Sequence, residues 1–217
     1  RNNTYTISEQ LFSLLYPIIL GLSRIEISKM LGNNGVFKML IGLSSFPNPA
    51  TLRRFLIRGS NELQSQLIRL HDRVRKYYID QIIPNKKLLV DMDSTVCTIY
   101  GDHEGAVKGY NPRARGKKSY HPLFCFESNS GTSLLGILRH GNAYTSIGGL
   151  EYLQQFFQNY PPEKYRVRFR GDSGFYNKDI VTLLQDNHAE FTIVADMTGP
   201  LKKRVTGLQY HRAKGTD

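Results

Sequence analysis

The sequence predicts an α/β protein, a mixed β-sheet with flanking helices behind a helical, helix-turn-helix-like N-terminal region. Three observations carry this. Apolar residues recur at helical spacing up to about residue 83 and at strand spacing from Lys87 onward. The later part orders its elements as three strands, helix, strand, helix, strand, which combines hairpin pairing with crossover connections. Charge divides at the same place: up to Lys87 there are 13 basic and 5 acidic residues, a net of +8, and from Leu88 onward 16 and 13, a net of +3.

Composition bounds the function. With 217 residues, 40% hydrophobic and 22% charged, the chain can bury a core, which excludes wholesale disorder. Two cysteines, Cys97 and Cys125, supply neither a disulfide framework nor a four-cysteine zinc site, so a reducing, intracellular setting is expected. Cys97 has no evident base beside it and reads as a small core residue. The apolar run from Leu11 to Leu22 is too short to span a membrane and contains Pro17; no small-residue cleavage pattern follows it. A net charge of +11 points to an anionic polymer as partner. The six histidines show no zinc spacing, and the glycines form neither a Walker A loop nor a dinucleotide fingerprint.

In the helical region, Ser23-Arg24-Ile25-Glu26 has the pattern of a capping box opening a short helix to Leu31, with Gly32 closing it. A second short apolar stretch covers Val36 to Leu43. Pro47-Asn48-Pro49 makes a rigid turn into Ala50 to Leu56, the segment that carries Arg53 and Arg54. Ser60 or Asn61 can cap a longer helix to about Ile83, with Leu63, Leu67, Leu70, Val74, Tyr77 and Ile82 on one stripe. Short helices separated by tight turns suit a DNA reader, with Arg53 and Arg54 toward the duplex. A small bundle with a solvated basic face is the competing reading.

From Leu88 to Thr95 a buried strand runs into carboxylates, and Pro122 to Glu127 and Ser133 to Arg139 form a hairpin about Ser128-Asn129-Ser130-Gly131. A helix over 146–159 ends before Pro161-Pro162, and strand 165–171, helix 177–186 and strand 190–195 follow. The boundary falls between a helical DNA-binding region, 1–86, and a core, 87–217.

Three constellations carry chemistry. Asp91 and Asp93, two apart on a strand, project from one face. Asp172 ends a later strand in Arg170-Gly171-Asp172-Ser173-Gly174, and strand ends of open sheets are where ligands bind. If the two strands are neighbours, Asp93 and Asp172 converge, and a divalent cation keeps such a pair ionised. The stretch from Lys108 to Pro122 holds Lys108, Arg113, Arg115, Lys117 and Lys118 without an acid, interleaved with Tyr110 and Tyr120; a loop of that composition grips a phosphodiester backbone.

Two resemblances share these residues. Asp91-x-Asp93-x-Thr95 with a later Gly171-Asp172 resembles the haloacid-dehalogenase-type magnesium-dependent phosphatases, which implies Asp91 as nucleophile, Asp93 as general acid/base and Asp172 as a metal ligand. The second covers roughly residues 45 to 197: Asp93-Ser94-Thr95, Gly109-Tyr110-Asn111-Pro112, Gly116, Ser119-Tyr120-His121-Pro122-Leu123, Arg139-x-Gly141-Asn142 and Arg170-x-Asp172-Ser173-Gly174-Phe175-Tyr176, in that order, resemble the DDE transposases of bacterial insertion sequences. Phe46-Pro47 to Phe55 resembles the N-terminal region of the same family. Only this second resemblance accounts for the tyrosine-bearing basic loop.

The transposase resemblance implies an RNase H-like core that cleaves and joins DNA at element ends, with two divalent ions, Mg²⁺ or Mn²⁺, held by three acids. Asp93 matches the first acid and Asp172 the second, while Asp91 on the same face stays a candidate metal ligand. Arg170 shares strand parity with Asp172 and would meet phosphates. Partners are double-stranded DNA, as transposon ends and target, and a further copy of the protein on that DNA; the place is a bacterial cytoplasm, on the nucleoid. The third acid of the family is a glutamate on a helix beyond an inserted region. Glu190, on or at the start of a strand, is not where it is expected, and Leu201 to Asp217 reads as the start of the insertion. The chain is therefore expected to be a C-terminally truncated core, inactive alone, or a remnant that binds DNA without cutting.

Overall fold

The computed structural model describes residues 5–22, 24–59 and 61–208. Contacts gather into two units, Arg1–Asp72 and Arg73–Asp217. The sequence boundary at 86/87 lies beyond this division, because the end of the long helix packs with the sheet that follows it.

In the first unit, α1 (Ile7–Ile19) opens with a capping box that composition alone did not flag: Thr6 Oγ1 accepts from the Glu9 amide at 3.2 Å, and Glu9 accepts from the Thr6 amide at 2.6 Å. The apolar run Leu11 to Leu22 is mostly this helix, with Pro17 in its last turns. Among the described residues no helix is long and apolar enough to cross a membrane. A 3₁₀ turn at Ile25–Ile27 leads into α2 (Ser28–Asn33); the expected cap at Ser23 lies outside the described residues. Asn34 caps α3 (Gly35–Leu40), and Asn48 caps α4 (Pro49–Arg58), where Pro49 takes the first-turn position that needs no amide donor. Tyr16, Phe37 and Phe46 pack ring to ring at 5.5 and 5.9 Å, and Leu52 of α4 is fully buried. α5 (Asn61–Ile82) follows; Ser60 is also outside the described residues.

The second unit is built on a five-stranded sheet. Its strands are β1 (Lys87–Ser94), β5 (Leu123–Glu127), β6 (Thr132–Ile137), β7 (Arg166–Gly171) and β8 (Glu190–Ile193), in the order β6-β5-β1-β7-β8. β1 pairs antiparallel with β5 and parallel with β7, and β7 parallel with β8. This is the mixed sheet with flanking helices expected from the sequence, with strands and hairpin turn within a residue or two of their expected places. α6 (Gly149–Asn159) and α7 (Lys178–Asp186) form the crossovers, and α8 (Gly199–Val205) occupies the expected start of the insertion.

Alternation decides what the sheet buries. Leu88, Val90 and Met92 of β1 face Leu123, Cys125, Leu134, Val167 and Phe169; α6 adds Leu153, Phe156 and Phe157, and its C-cap adds Tyr160. Ile79 and Ile83 at the end of α5, with Ile180 and Leu184 of α7, close the same face. Among the described residues these flanking helices pack on one face of the sheet, and the other carries Leu89, Asp91, Phe124, Phe126, Arg168 and Arg170, partly or fully exposed.

Two further expectations are corrected. Cys97 is exposed, and the core cysteine is Cys125, whose thiol burial pushes up to about 12. The basic stretch is not simply a loop: β3 (Val107–Lys108) and β4 (Lys118–Tyr120) pair with each other and β4 with β2 (Cys97–Thr98), making a small antiparallel sheet with Arg113 and Arg115 in its connecting segment.

Asp80, near the end of α5, ties that helix to the entry of β7. It accepts from the Tyr165 hydroxyl at 2.6 Å and is bridged by Lys86 at 2.9 Å and Lys164 at 3.3 Å. The Tyr165 hydrogen bond, then the two lysines, lower its pKa to about 2 against the opposing effect of burial. A depressed carboxyl stabilises the fold above its unfolded value, near 4, and loses that contribution as pH falls toward 2. Asp80→Asn should therefore lower stability at pH 7 by roughly 1–2 kcal/mol in urea unfolding, and the gap to the parent should narrow from pH 5 toward pH 3.

Candidate active site

The site lies where β1 and β7 end together. Their parallel register runs from Lys87↔Arg166 to Met92↔Gly171, so Asp93 and Asp172 stand one residue beyond the last pair on adjacent strands. Neighbouring strands are about 4.8 Å apart, which brings the two carboxylates to one locus at the carboxyl edge of the sheet. Both residues are exposed. Asp93 accepts on Oδ1 from the Ser94 amide at 2.7 Å; Asp172 caps the 3₁₀ turn Ser173–Phe175 by accepting on Oδ1 from the Gly174 amide at 3.0 Å. Each keeps a second oxygen facing no protein donor among the described residues. Two hard oxygen donors so placed suit a hard divalent cation. No group of three acidic, histidine or cysteine side chains able to hold a metal occurs among the described residues, so the aspartates form a pair rather than a complete cage.

Asp91 is held differently. Arg170 grips it with two parallel bonds, Nε to Oδ1 at 2.6 Å and Nη2 to Oδ2 at 2.5 Å, and the Ser128 hydroxyl donates to Oδ2 as well. The register pairs Asp91 with Arg170 directly across β1 and β7. Arg170, then Ser128, keeps the Asp91 carboxyl below the usual carboxylate range, and Asp91 in turn raises Arg170. Both Asp91 oxygens accept from Arg170, and Nε and Nη2 of Arg170 are engaged in return, so each is the other's partner. Arg168 is likewise paired with Glu190, at 2.5 Å.

The basic segment borders the same edge. A cavity of about 260 Å³ is lined by Ser94, Tyr110, Pro112, Arg113, His121 and Asp172, among others. Tyr110 is 76% exposed. Its segment is anchored by Asn111, a buried amide that donates to Thr98 Oγ1 at 2.9 Å and accepts from the Ala114 amide at 2.9 Å. Lys108, Arg113, Arg115 and Lys117 are exposed and make no ion pair among the described residues; Lys118 bridges Asp102, and the Tyr120 hydroxyl donates to the Glu104 carbonyl. Two motif glycines have a steric reason. A Cβ on Gly109 would lie 2.0 Å from the Gly141 carbonyl oxygen, and one on Gly141 2.2 Å from that of Ser119. In the first unit, Arg53 is ion-paired with Glu26, and Arg54 is exposed beside Thr51.

Sequence reasoning left Asn111, His121, Arg139 and Thr145 without roles. Three of them stand in the quoted motifs, and that was their signal. Arg139 is buried and donates to four carbonyls, those of His121, Tyr144, Thr145 and Ile147, at 2.6–3.1 Å.

A family model described as Transposase DDE domain group 1 matches residues 1–215. No curated protein matches the chain in sequence. Among solved structures, the piggyBac transposase synaptic complex with hairpin DNA is 14% identical, with a TM-score of 0.43 over 98% of this chain and 48% of that one. The Mos1 transposase paired-end complex is 10% identical, with a TM-score of 0.35 over 88% and 60%. The catalytic core domain of BIV integrase is 16% identical, with a TM-score of 0.32 over 54% and 61%. The chain thus spans less than two thirds of each.

The two β1 aspartates should separate in stability. Asp91→Asn strands Arg170 and should cost roughly 1 kcal/mol in chemical unfolding, whereas Asp93→Asn, exposed and unpaired with a cation, should stay within about 0.5 kcal/mol of the parent.

Proposed function

The chain belongs to the transposase DDE domain group 1 family, and from that premise we propose that it is the DNA-cleaving and strand-joining part of an insertion-sequence transposase. The observation that carries this reading is the juxtaposition of Asp93 and Asp172 at neighbouring strand ends, each with an oxygen facing no donor. They act as two of the metal-holding acids, for two ions of Mg²⁺ or Mn²⁺. What bound divalent ions supply is activation of a water or a 3′-hydroxyl and charge relief for the leaving oxygen of the phosphodiester. The phosphatase reading has no support left: its nucleophile, Asp91, has both oxygens engaged by Arg170.

The protein's own residues position the strand. Lys108, Arg113, Arg115 and Lys117 hold phosphates beside the cavity, and Tyr110 offers a ring for a base or sugar. Residues 1–86 form the helical DNA-binding region, with Arg54 and, through exchange of its bridge to Glu26, Arg53 reaching the duplex; residues 87–217 form the RNase H-like core. The substrate is double-stranded DNA, both element ends and target, bound by more than one copy of the protein on a bacterial nucleoid. The net charge of +11 supports such a partner.

In the intact protein, Asp93→Asn or Asp172→Asn should lower Mg²⁺-dependent nicking of element-end DNA by roughly 10²-fold or more while DNA affinity is largely retained. Normal cutting by Asp93→Asn overturns the assignment. Hydrolysis of a small phosphate monoester, lost on Asp91→Asn, would restore the phosphatase.

Joint replacement of Arg113, Arg115 and Lys117 by Ala should lower the slope of log affinity against log salt by about 0.9 per lost phosphate contact. An unchanged slope removes this segment from the interface.

A further inference from the structure

We propose that His121, Ser94 and Thr145 form a part-buried positioning strut that sets the spacing of Asp93 and Asp172, a role that rests on the metal-holding reading above. Ser94 follows Asp93 directly and its amide donates to the Asp93 carboxylate at 2.7 Å, so whatever fixes Ser94 aims Asp93. The Ser94 hydroxyl lies 3.0 Å from Nε2 of His121 and 3.4 Å from Oγ1 of Thr145.

His121 has one arrangement open to it in the neutral ring. Nδ1 is 2.7 Å from the Ala143 carbonyl oxygen, which only accepts, so Nδ1 carries the proton. Nε2 is then an acceptor and receives a hydrogen bond from the Ser94 hydroxyl. The ring is 7% exposed, and its backbone is clamped on both sides by Arg139: the His121 amide donates to the Arg139 carbonyl at 3.0 Å, and Arg139 Nε donates to the His121 carbonyl at 2.8 Å.

Thr145 connects this assembly to the second aspartate. Arg139 Nη1 donates to the Thr145 carbonyl at 2.9 Å, and the Thr145 side chain lies against Gly174 so closely that a Cβ there would sit 2.5 Å from it. Gly174 supplies the amide that the Asp172 carboxylate accepts. One side chain is therefore wedged between the end of β1, which carries Asp93, and the turn that carries Asp172. Sheet register brings the two strands side by side; the wedge fixes how far apart their ends stand. His121 and Thr145 touch neither carboxylate and are positioning residues.

The test is Mn²⁺ binding by the intact protein, measured by electron paramagnetic resonance, together with the Mn²⁺ dependence of nicking. Parent, Ser94→Ala, Ser94→Thr, Thr145→Val and His121→Asn are compared, with Asp93→Asn and Asp172→Asn as references. Ser94→Ala and Thr145→Val each remove one hydroxyl with little change of volume, so the outcome does not hang on His121→Asn folding. Mn²⁺ affinity should fall roughly 10-fold in Ser94→Ala and Thr145→Val, the size typical of lost outer partners of metal ligands, with unfolding midpoints near the parent's. Ser94→Thr, which keeps the hydroxyl, should restore it. If the Asp references lose Mn²⁺ while Ser94→Ala and Thr145→Val bind it as the parent does, the strut is refuted and the metal site stands. If the Asp references also bind like the parent, the metal-holding reading fails, and the strut with it.

Discussion

The parallel pairing of β1 with β7 is the constraint on which the rest of this molecule depends. The two strands are far apart in sequence, and their register does three things at once. It aligns Leu88, Val90 and Met92 with Val167 and Phe169 on the buried face. It sets Asp91 opposite Arg170 on the other face, where opposite charges at one rung stabilise the pairing. It leaves Asp93 and Asp172 side by side where the strands stop. A slip of one residue would turn the apolar set outward and separate the aspartates, so core and site cannot be altered independently.

Around that edge hydrogen bonds hold buried polar groups in place. Nε and Nη1 of the buried Arg139 meet four carbonyls, and Asn111 has both ends of its amide engaged. Glu127, fully buried at the end of β5, accepts from the Leu89 amide and from the amide and hydroxyl of Ser130, which closes the β5–β6 hairpin onto β1. Such groups are costly unless paired and stiffening when paired. The two aspartates differ from them in standing exposed, each with an oxygen facing no protein donor.

The charge pattern follows the same division of labour. On β7, Arg168 is neutralised locally by Glu190 and Arg170 by Asp91, two ion pairs on that strand's outer face. Arg113, Arg115 and Lys117, which make no ion pair among the described residues, lie on the segment between β3 and β4, next to the cavity that reaches Asp172. Under the function proposed above, the positive charge lies where a DNA backbone would be held and the bare carboxylates where its phosphodiester would be opened.

How much of this could be read from residues alone follows from the range of the forces involved. Element identity rests on local periodicity and caps, so the strand Lys87–Ser94, the turn at Ser128–Gly131 and the Asn48-Pro49 helix start were legible. The motifs Asp93-Ser94-Thr95 and Gly171-Asp172-Ser173-Gly174 were legible for the same reason, and with them the family. Parity placed Asp91 and Asp93 on one face, but parity does not choose partners. That Asp91 belongs to Arg170, 79 residues away, depends on a register that only the folded sheet contains. The same holds for the cysteines, of which the packed sheet buries Cys125 and exposes Cys97. The sequence by itself determined which residues could do the chemistry. The tertiary structure decided which of them are free to do it, because in a folded chain a charge is available only where no neighbour has already satisfied it.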